Sequence, residues 1–426
     1  MNAMAGEKTS AISGFYKLSR SERIAAVAAF SGLTEEQKKQ LATDKPLGFE
    51  VADRMAENAL GLHAFPLCVA TNFIVNNKEV LVPMAIEEPS VVAAASNGAK
   101  LCRDTGGFFA VADAPVMVGQ VQLVGLKDAS KAVRELNSKK AEIIKAAEPF
   151  AAGMAKYGGG IRAFSARTLP TERGEMAIAE FDIDVRDSMG ANTINTVLEG
   201  VAPKLEEISG GKVRLRILSN LAVTRLVRAK AVWKRDTIGA EAVEGVLDGW
   251  AFADVDIYRA CTHNKGIMNG IDAVALATGN DWRAVEAGAH AFAATGARYR
   301  PLTRFKKLPN GDLEGEIELP LAVGTVGGAT RSLPSAQTAL AILGVKGAQE
   351  LACIMASVGL AQNFAALRAL SGEGIQRGHM ELHAKNMAIT AGANGAEADA
   401  VAARMVERKD ISAKSAADIL AIIRKK

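Results

Sequence analysis

The sequence predicts an α+β protein: a large, mainly helical domain, a smaller βαββαβ domain inserted into it, and a helical C-terminal flap. Three observations carry this reading. A chain of 426 residues, 49% of them apolar, is too long for one ordinary core and can fill two or three. Residues 114–219 have their own rhythm: 115–124 reads as a strand, 129–147 as a helix, 161–167 and 177–185 as strands, 188–208 as a helix and 212–218 as a strand. That is the ferredoxin-like order. From Pro334 onward the pattern is almost wholly helical, and Gly392 and Gly395 interrupt an Ala-rich segment after His379. The boundaries drawn are 1–112 and 221–377 for the two parts of the large domain, 113–220 for the insert and 378–426 for the flap.

Within the large domain, Thr34-Glu35-Glu36-Gln37 is a capping box that opens a short helix. Residues 65–86 form two β-rich runs around Asn76-Asn77, a hairpin signal. Pro89 then suits the first position of a helix, which places Glu88 where a strand hands over to a helix N-terminus. After about 220 the large domain resumes with helices and a strand pair near 302–320.

Charged residues make up 23% and the net charge is +4, with no basic block except Arg424-Lys425-Lys426. With only 5% aromatic residues, this argues against a nucleic-acid partner. Cys68, Cys102, Cys261 and Cys353 are scattered, without CxxC or zinc spacing, so no metal is expected and the thiols should be reduced. Residues 1–13 are polar, and the apolar stretches look interrupted before they reach membrane-spanning length. A cytoplasmic protein with no membrane attachment is expected.

No GxGxxG or Walker loop is present, since 372–378 has one residue too many, so any nicotinamide cofactor would bind outside a Rossmann domain. Four segments carry candidate chemistry. Arg259–Asp281 gathers Arg259, His263, Lys265, Asn269, Asp272 and Asp281; Lys265, with Gly266 and Gly270 close by, is either a desolvated cation or a solvated loop lysine. Glu88 is either a reactive carboxylate or an ordinary partner of a helix start. His379 and His383 share a helix face without the HExxH pattern or an obvious third ligand. Asp187-Ser188-Met189-Gly190-Ala191-Asn192 is a strand-to-helix turn fit for a pyrophosphate, although such turns are common.

Taken in order, these segments resemble one family. Glu57–Gly61 reads ENALG, 87–96 EEPSVVAAAS, 187–192 DSMGAN, 263–270 HNKGIMNG, 324–330 GTVGGAT and 378–380 GHM. The chain is similar over nearly its whole length to 3-hydroxy-3-methylglutaryl-coenzyme A (HMG-CoA) reductases of the bacterial class II. It departs in ENALG for ENVIG and DSMGAN for DAMGAN, both mild changes away from the reacting groups. A membrane anchor like that of the eukaryotic class is not expected, nor is its phospho-switch, since Lys385 lies where that class carries a regulatory serine.

The resemblance implies interconversion of HMG-CoA and mevalonate plus CoA by two hydride transfers. It makes Lys265 the oxyanion stabiliser, Glu88 the acid toward the aldehyde, with a pKa raised by burial, and Asp281 a carboxylate between them. His379 would protonate the CoA thiolate, and His383 is read as structural. Ser90, Arg259, Thr262, Asn269 and Gln362 would hold the substrate. Asp187, Met189, Gly190, Ala191, Asn192 and Asn220 would contact the dinucleotide. Glu148, followed by Pro149, would hold a ribose hydroxyl and repel a 2′-phosphate, favouring NAD(H) over NADP(H). Sites between subunits imply a homodimer or an assembly of dimers. The competing readings are an acyltransferase using Cys261, near His263 on an extended segment, or Cys102, and a non-catalytic CoA- or nucleotide-binding relative.

Overall fold

The computed structural model describes residues 8–372 and 384–424. His379 and His383 lie outside the described residues. Helices α1 (Arg20–Ser31), α2 (Glu35–Ala42) and α3 (Phe49–Met55) come first, and Thr34 makes the predicted reciprocal cap on α2. Strands β1 (Leu67–Val75) and β2 (Lys78–Ala85) pair antiparallel, and their turn uses Asn76 and Asn77, both at positive φ. Asparagine tolerates that region better than most residues, which explains the hairpin signal.

The large domain holds a six-stranded sheet in the order β2-β1-β3-β8-β10-β9, with β3 (Phe108–Ala112), β8 (Leu226–Trp233), β9 (Thr303–Lys307) and β10 (Leu313–Pro320). Strands β3 and β8 were not anticipated, so the sheet is larger than a hairpin plus a strand pair. The second sheet, β5-β6-β4-β7, is antiparallel, with β4 (Val116–Val124), β5 (Gly160–Thr171), β6 (Gly174–Asp184) and β7 (Lys212–Leu218). Helices α5 (Ala129–Ser138), α6 (Lys140–Ala147) and the short α7 (Ala152–Ala155) connect β4 to β5, and α8 (Ala191–Ser209) connects β6 to β7. The helix expected over 129–147 is therefore two helices, divided at Lys139.

Helix α4 (Val91–Lys100) follows β2. After β8 come α9 (Arg235–Ile238), α10 (Ala240–Val255), α11 (Ile257–Ala277) and α12 (Trp282–Ala293), and after β10 come α13 (Gly328–Ser332), α14 (Pro334–Leu343) and α15 (Ala348–Ser371). The sheet and these helices bury Trp233, which stacks on Phe364 with centroids 4.0 Å apart and donates its indole N–H to Gly98 O at 3.0 Å. Alone among the described residues, α15 is long and apolar enough to cross a membrane, which corrects the expectation that no stretch reaches that length. It is the central core helix, with 89% of its most apolar window buried. The C-terminal helices Ala396–Glu407 and Ala413–Arg424 close a separate small core of Val401, Met405, Ile419 and Leu420, and Gly395 opens the first of them.

Helix α4 meets α15 at Gly98, where a Cβ would overlap the Ala361 carbonyl. Gly98→Ala should lower stability by about 1–3 kcal/mol, as overpacking does; a chemical-denaturation midpoint would read it.

Candidate active site

The turn after β2 and two helices build a cleft of about 330 Å³. The turn presents Glu88 and Ser90, α11 presents Arg259, Thr262, Lys265 and Asn269, and α15 presents Gln362. Residues 262, 265 and 269 recur at helical spacing, so they share a face. Val91, Ala94, Ala365, Ala366, Ala369 and Leu370 supply the apolar wall. Every proposed substrate residue therefore meets Glu88 and Lys265 in one place.

Lys265 Nζ donates to Glu88 Oε2 at 2.9 Å. Lys265 stands on a helix rather than a loop, with its side chain 59% exposed against 37% for Glu88. The burial expected around Glu88 is thus not supplied by the described residues. Pro89 is not the first helical residue. The helix starts at Val91, and Ser90 precedes it in the left-handed region at φ 75°. Such a conformation is uncommon for serine and is held here at the mouth of the cleft.

Asp281 does not lie between Lys265 and Glu88. It caps α12 by accepting Ala284 N at 3.1 Å and pairs with Arg283 at 3.3 Å. The physical reason is the rise of α11: Lys265 and the helix end at Ala277 are about 18 Å apart along the axis. No side chain reaches that far.

The Asp187–Asn192 turn, expected at the cofactor, lies at the seam between the two sheets. Gly190 caps α8 at φ 102°, where a Cβ would sit 2.5 Å from Val185. No side chain caps α8, so the amides at its start, including Ala191 and Asn192, have no capping oxygen. The Asp187 carbonyl accepts Thr325 N at 2.8 Å, and its carboxylate accepts Ala348 N at 2.9 Å at the start of α15. Met189 N lies against Gly324, and Asn220 O against Gly288. Glu148 is exposed and opens a short 3-10 turn beside the middle of α8, where Phe150 faces Gly200. That is about 14 Å along α8 from the cofactor turn.

Two residues of this seam escaped sequence reasoning. Buried Arg225 donates to Ser188 O at 3.2 Å and to Val323 O, joining the cofactor turn to the large domain. Asn280 makes two hydrogen bonds to Gly324, at 2.7 and 3.1 Å, and so fixes the segment that carries Asp281. A lone arginine after a strand looks like a surface residue in sequence. Asn280 was legible only through its place beside Asp281.

The acyltransferase reading is not supported at either of its cysteines. Cys261 and His263 are on a helix, not an extended segment, and they face apart: Cys261 is exposed and His263 buried. Burial pushes the Cys102 thiol up to about 12 and that of Cys353 to about 11.

The hydroxymethylglutaryl-coenzyme A reductase family model matches residues 19–384. The 3-hydroxy-3-methylglutaryl-coenzyme A reductase of Archaeoglobus fulgidus is 52% identical over 98% of this chain and 95% of its own. A probable reductase of the same name from Borreliella burgdorferi is 37% identical over 77% of this chain and 76% of its own. The class II enzyme of Streptococcus pneumoniae, solved bound to NADPH in open conformations, is 40% identical with a TM-score of 0.81, covering 96% of this chain and 100% of that one. Fold, site and relatives define an NAD(P)-dependent oxidoreductase. The chain belongs to the hydroxymethylglutaryl-coenzyme A reductase family.

Asp272, on α11 but outside the cleft, is held far above the ordinary carboxylate range by burial and by adjacent Glu286. Its neutral form is favoured on folding. This contribution is full below the unfolded pKa and fades as pH rises through the folded one. Asp272→Asn should therefore lose less melting temperature than the parent between neutral and alkaline pH, measured by calorimetry.

Proposed function

We propose that the enzyme interconverts HMG-CoA and mevalonate plus CoA through a hemithioacetal and mevaldehyde, with NAD(H). The observation that carries this reading is the Lys265–Glu88 pair, in a cleft it shares with Arg259 and Ser90. Bound NAD(H) supplies the two hydrides. The ammonium of Lys265 stabilises the oxyanion that develops on the thioester carbonyl and then on the aldehyde, worth several kcal/mol in a closed site. Glu88, in its acid form, delivers a proton to the aldehyde oxygen. His379 protonates the departing thiolate, a downhill transfer between groups of pKa about 6.5 and about 8.5. Arg259 suits the free carboxylate through its paired donors, with Ser90 at the hydroxyl and Asn269 and Gln362 near the carbonyl. The uncapped start of α8 fits a pyrophosphate, because its amides and dipole favour an anion.

The working enzyme is a homodimer, or an assembly of dimers, in which Asp281 of the partner subunit completes the Lys265–Glu88 pair. The length of α11 supports this, as do the exposed Ile257 and Tyr258 beside the cleft, 58% and 83% accessible. The test mixes two inactive variants, Lys265→Ala and Asp281→Asn, after subunit exchange verified with distinct tags. Random reassortment should restore about a quarter of parent activity, since one of the two sites in each mixed dimer is whole. No recovery would place all the groups in one chain and overturn the dimeric site.

Glu148 supports NAD(H). NADP(H) is the second reading, favoured by the Streptococcus pneumoniae relative, which is bound to NADPH. Absorbance of reduced cofactor, with mevalonate, CoA and either dinucleotide, tests both. Growth with NAD alone is expected. Growth with NADP alone would keep the reaction and discard the role of Glu148, and no growth in either direction would sink the proposal.

A further inference from the structure

We infer that His263 is a positioning residue for Arg259, its Nδ1 receiving the Arg259 Nε–H when the guanidinium closes on the carboxylate of the acyl group. This rests on reading the cleft as the HMG-CoA site. The argument starts in the core. The Thr303 hydroxyl donates to Asn363 Oδ1 at 2.9 Å, and its oxygen lies 2.6 Å from His263 Nε2. A hydroxyl has one proton, so Thr303 accepts from His263, and Nε2 carries the ring proton.

His263 is 2% exposed, and burial with the charge of Arg259 pushes its imidazolium down to about 3. The ring is therefore neutral and Nδ1 is a bare acceptor. Nδ1 is enclosed and has no hydrogen-bond partner among the described residues. The same is true of Arg259 Nε, a donor. The two residues are four apart on α11, one turn along the same face, so their side chains are neighbours. An orphan acceptor beside an orphan donor is an unstable pairing for both, and a side-chain rotation of Arg259 satisfies them together. That rotation leaves both Nη groups free for a carboxylate. The chain Asn363–Thr303–His263 then anchors the arginine to the sheet through β9.

Two polar substitutions of similar size separate this role from a purely structural one. His263→Asn puts an amide oxygen where Nδ1 was and breaks the link to Thr303. His263→Gln keeps a donor toward Thr303 and removes the Nδ1 acceptor. The proposal expects His263→Gln to raise KM for HMG-CoA about tenfold, with KM for the cofactor unchanged and His263→Asn nearer the parent. In an Arg259→Met background, His263→Gln should add no further rise. The reverse order of the two variants, a parallel rise in both KM values, or full additivity with Arg259→Met would overturn it. An unchanged KM in Arg259→Met alone would remove the carboxylate assignment, and the proposal with it.

Discussion

Helices α4 and α11 approach α15 at glycines, and the cleft depends on how closely they do so. Gly98 of α4 lies against the Ala361 carbonyl, Gly359 of α15 leaves 2.8 Å between a notional Cβ and Ile271, and Gly270 of α11 abuts Gln362 and Val358. Interiors are packed densely enough that one added methyl group must displace a helix. The turn carrying Glu88 enters α4, Lys265 is on α11 and Gln362 on α15, so these contacts set how the three side chains face one another. The 2.9 Å pair is thus a product of backbone proximity, not of long side chains searching for a partner.

A second constraint acts at the other end of α11. There Asn280 is bonded to Gly324, Gly324 lies against Met189, and Arg225 ties Ser188 to Val323. Each bond uses a backbone group or a buried side chain, so the 187–192 turn and the segment carrying Asp281 are tied together. Helix α11 is 21 residues long, and it separates this tied region from the cleft around Lys265.

The sequence was most legible where periodicity and turn chemistry agree. The insert could be read strand by strand because β4 and β6 bury alternate or continuous apolar residues and α8 shows a full apolar face. Strand β8 alternates as well, burying Val227, Ala229, Ala231 and Trp233, but the two alanines at its centre, set among Arg228 and Lys230, give a weak apolar signal. Strand β3 is five residues long, too short to distinguish from a loop edge. The cleft residues were found through their resemblance to a family, whereas spacing alone left each of them balanced against a bland alternative. The placement of Asp281 could not be read at all, because nothing in its neighbourhood states the length of the helix before it. The two orphaned atoms of Arg259 and His263 are likewise invisible without three-dimensional packing.

The bond from Ala348 N to the Asp187 carboxylate has a mechanical side. It fastens the cofactor turn to the first residue of a 24-residue helix about 36 Å long. Further along, the same helix carries Gln362 and the alanine wall of the cleft, and its chain runs on toward His379. An α-helix resists stretching, so α15 works as a ruler that sets the spacing between the Asp187 turn and the wall of the cleft.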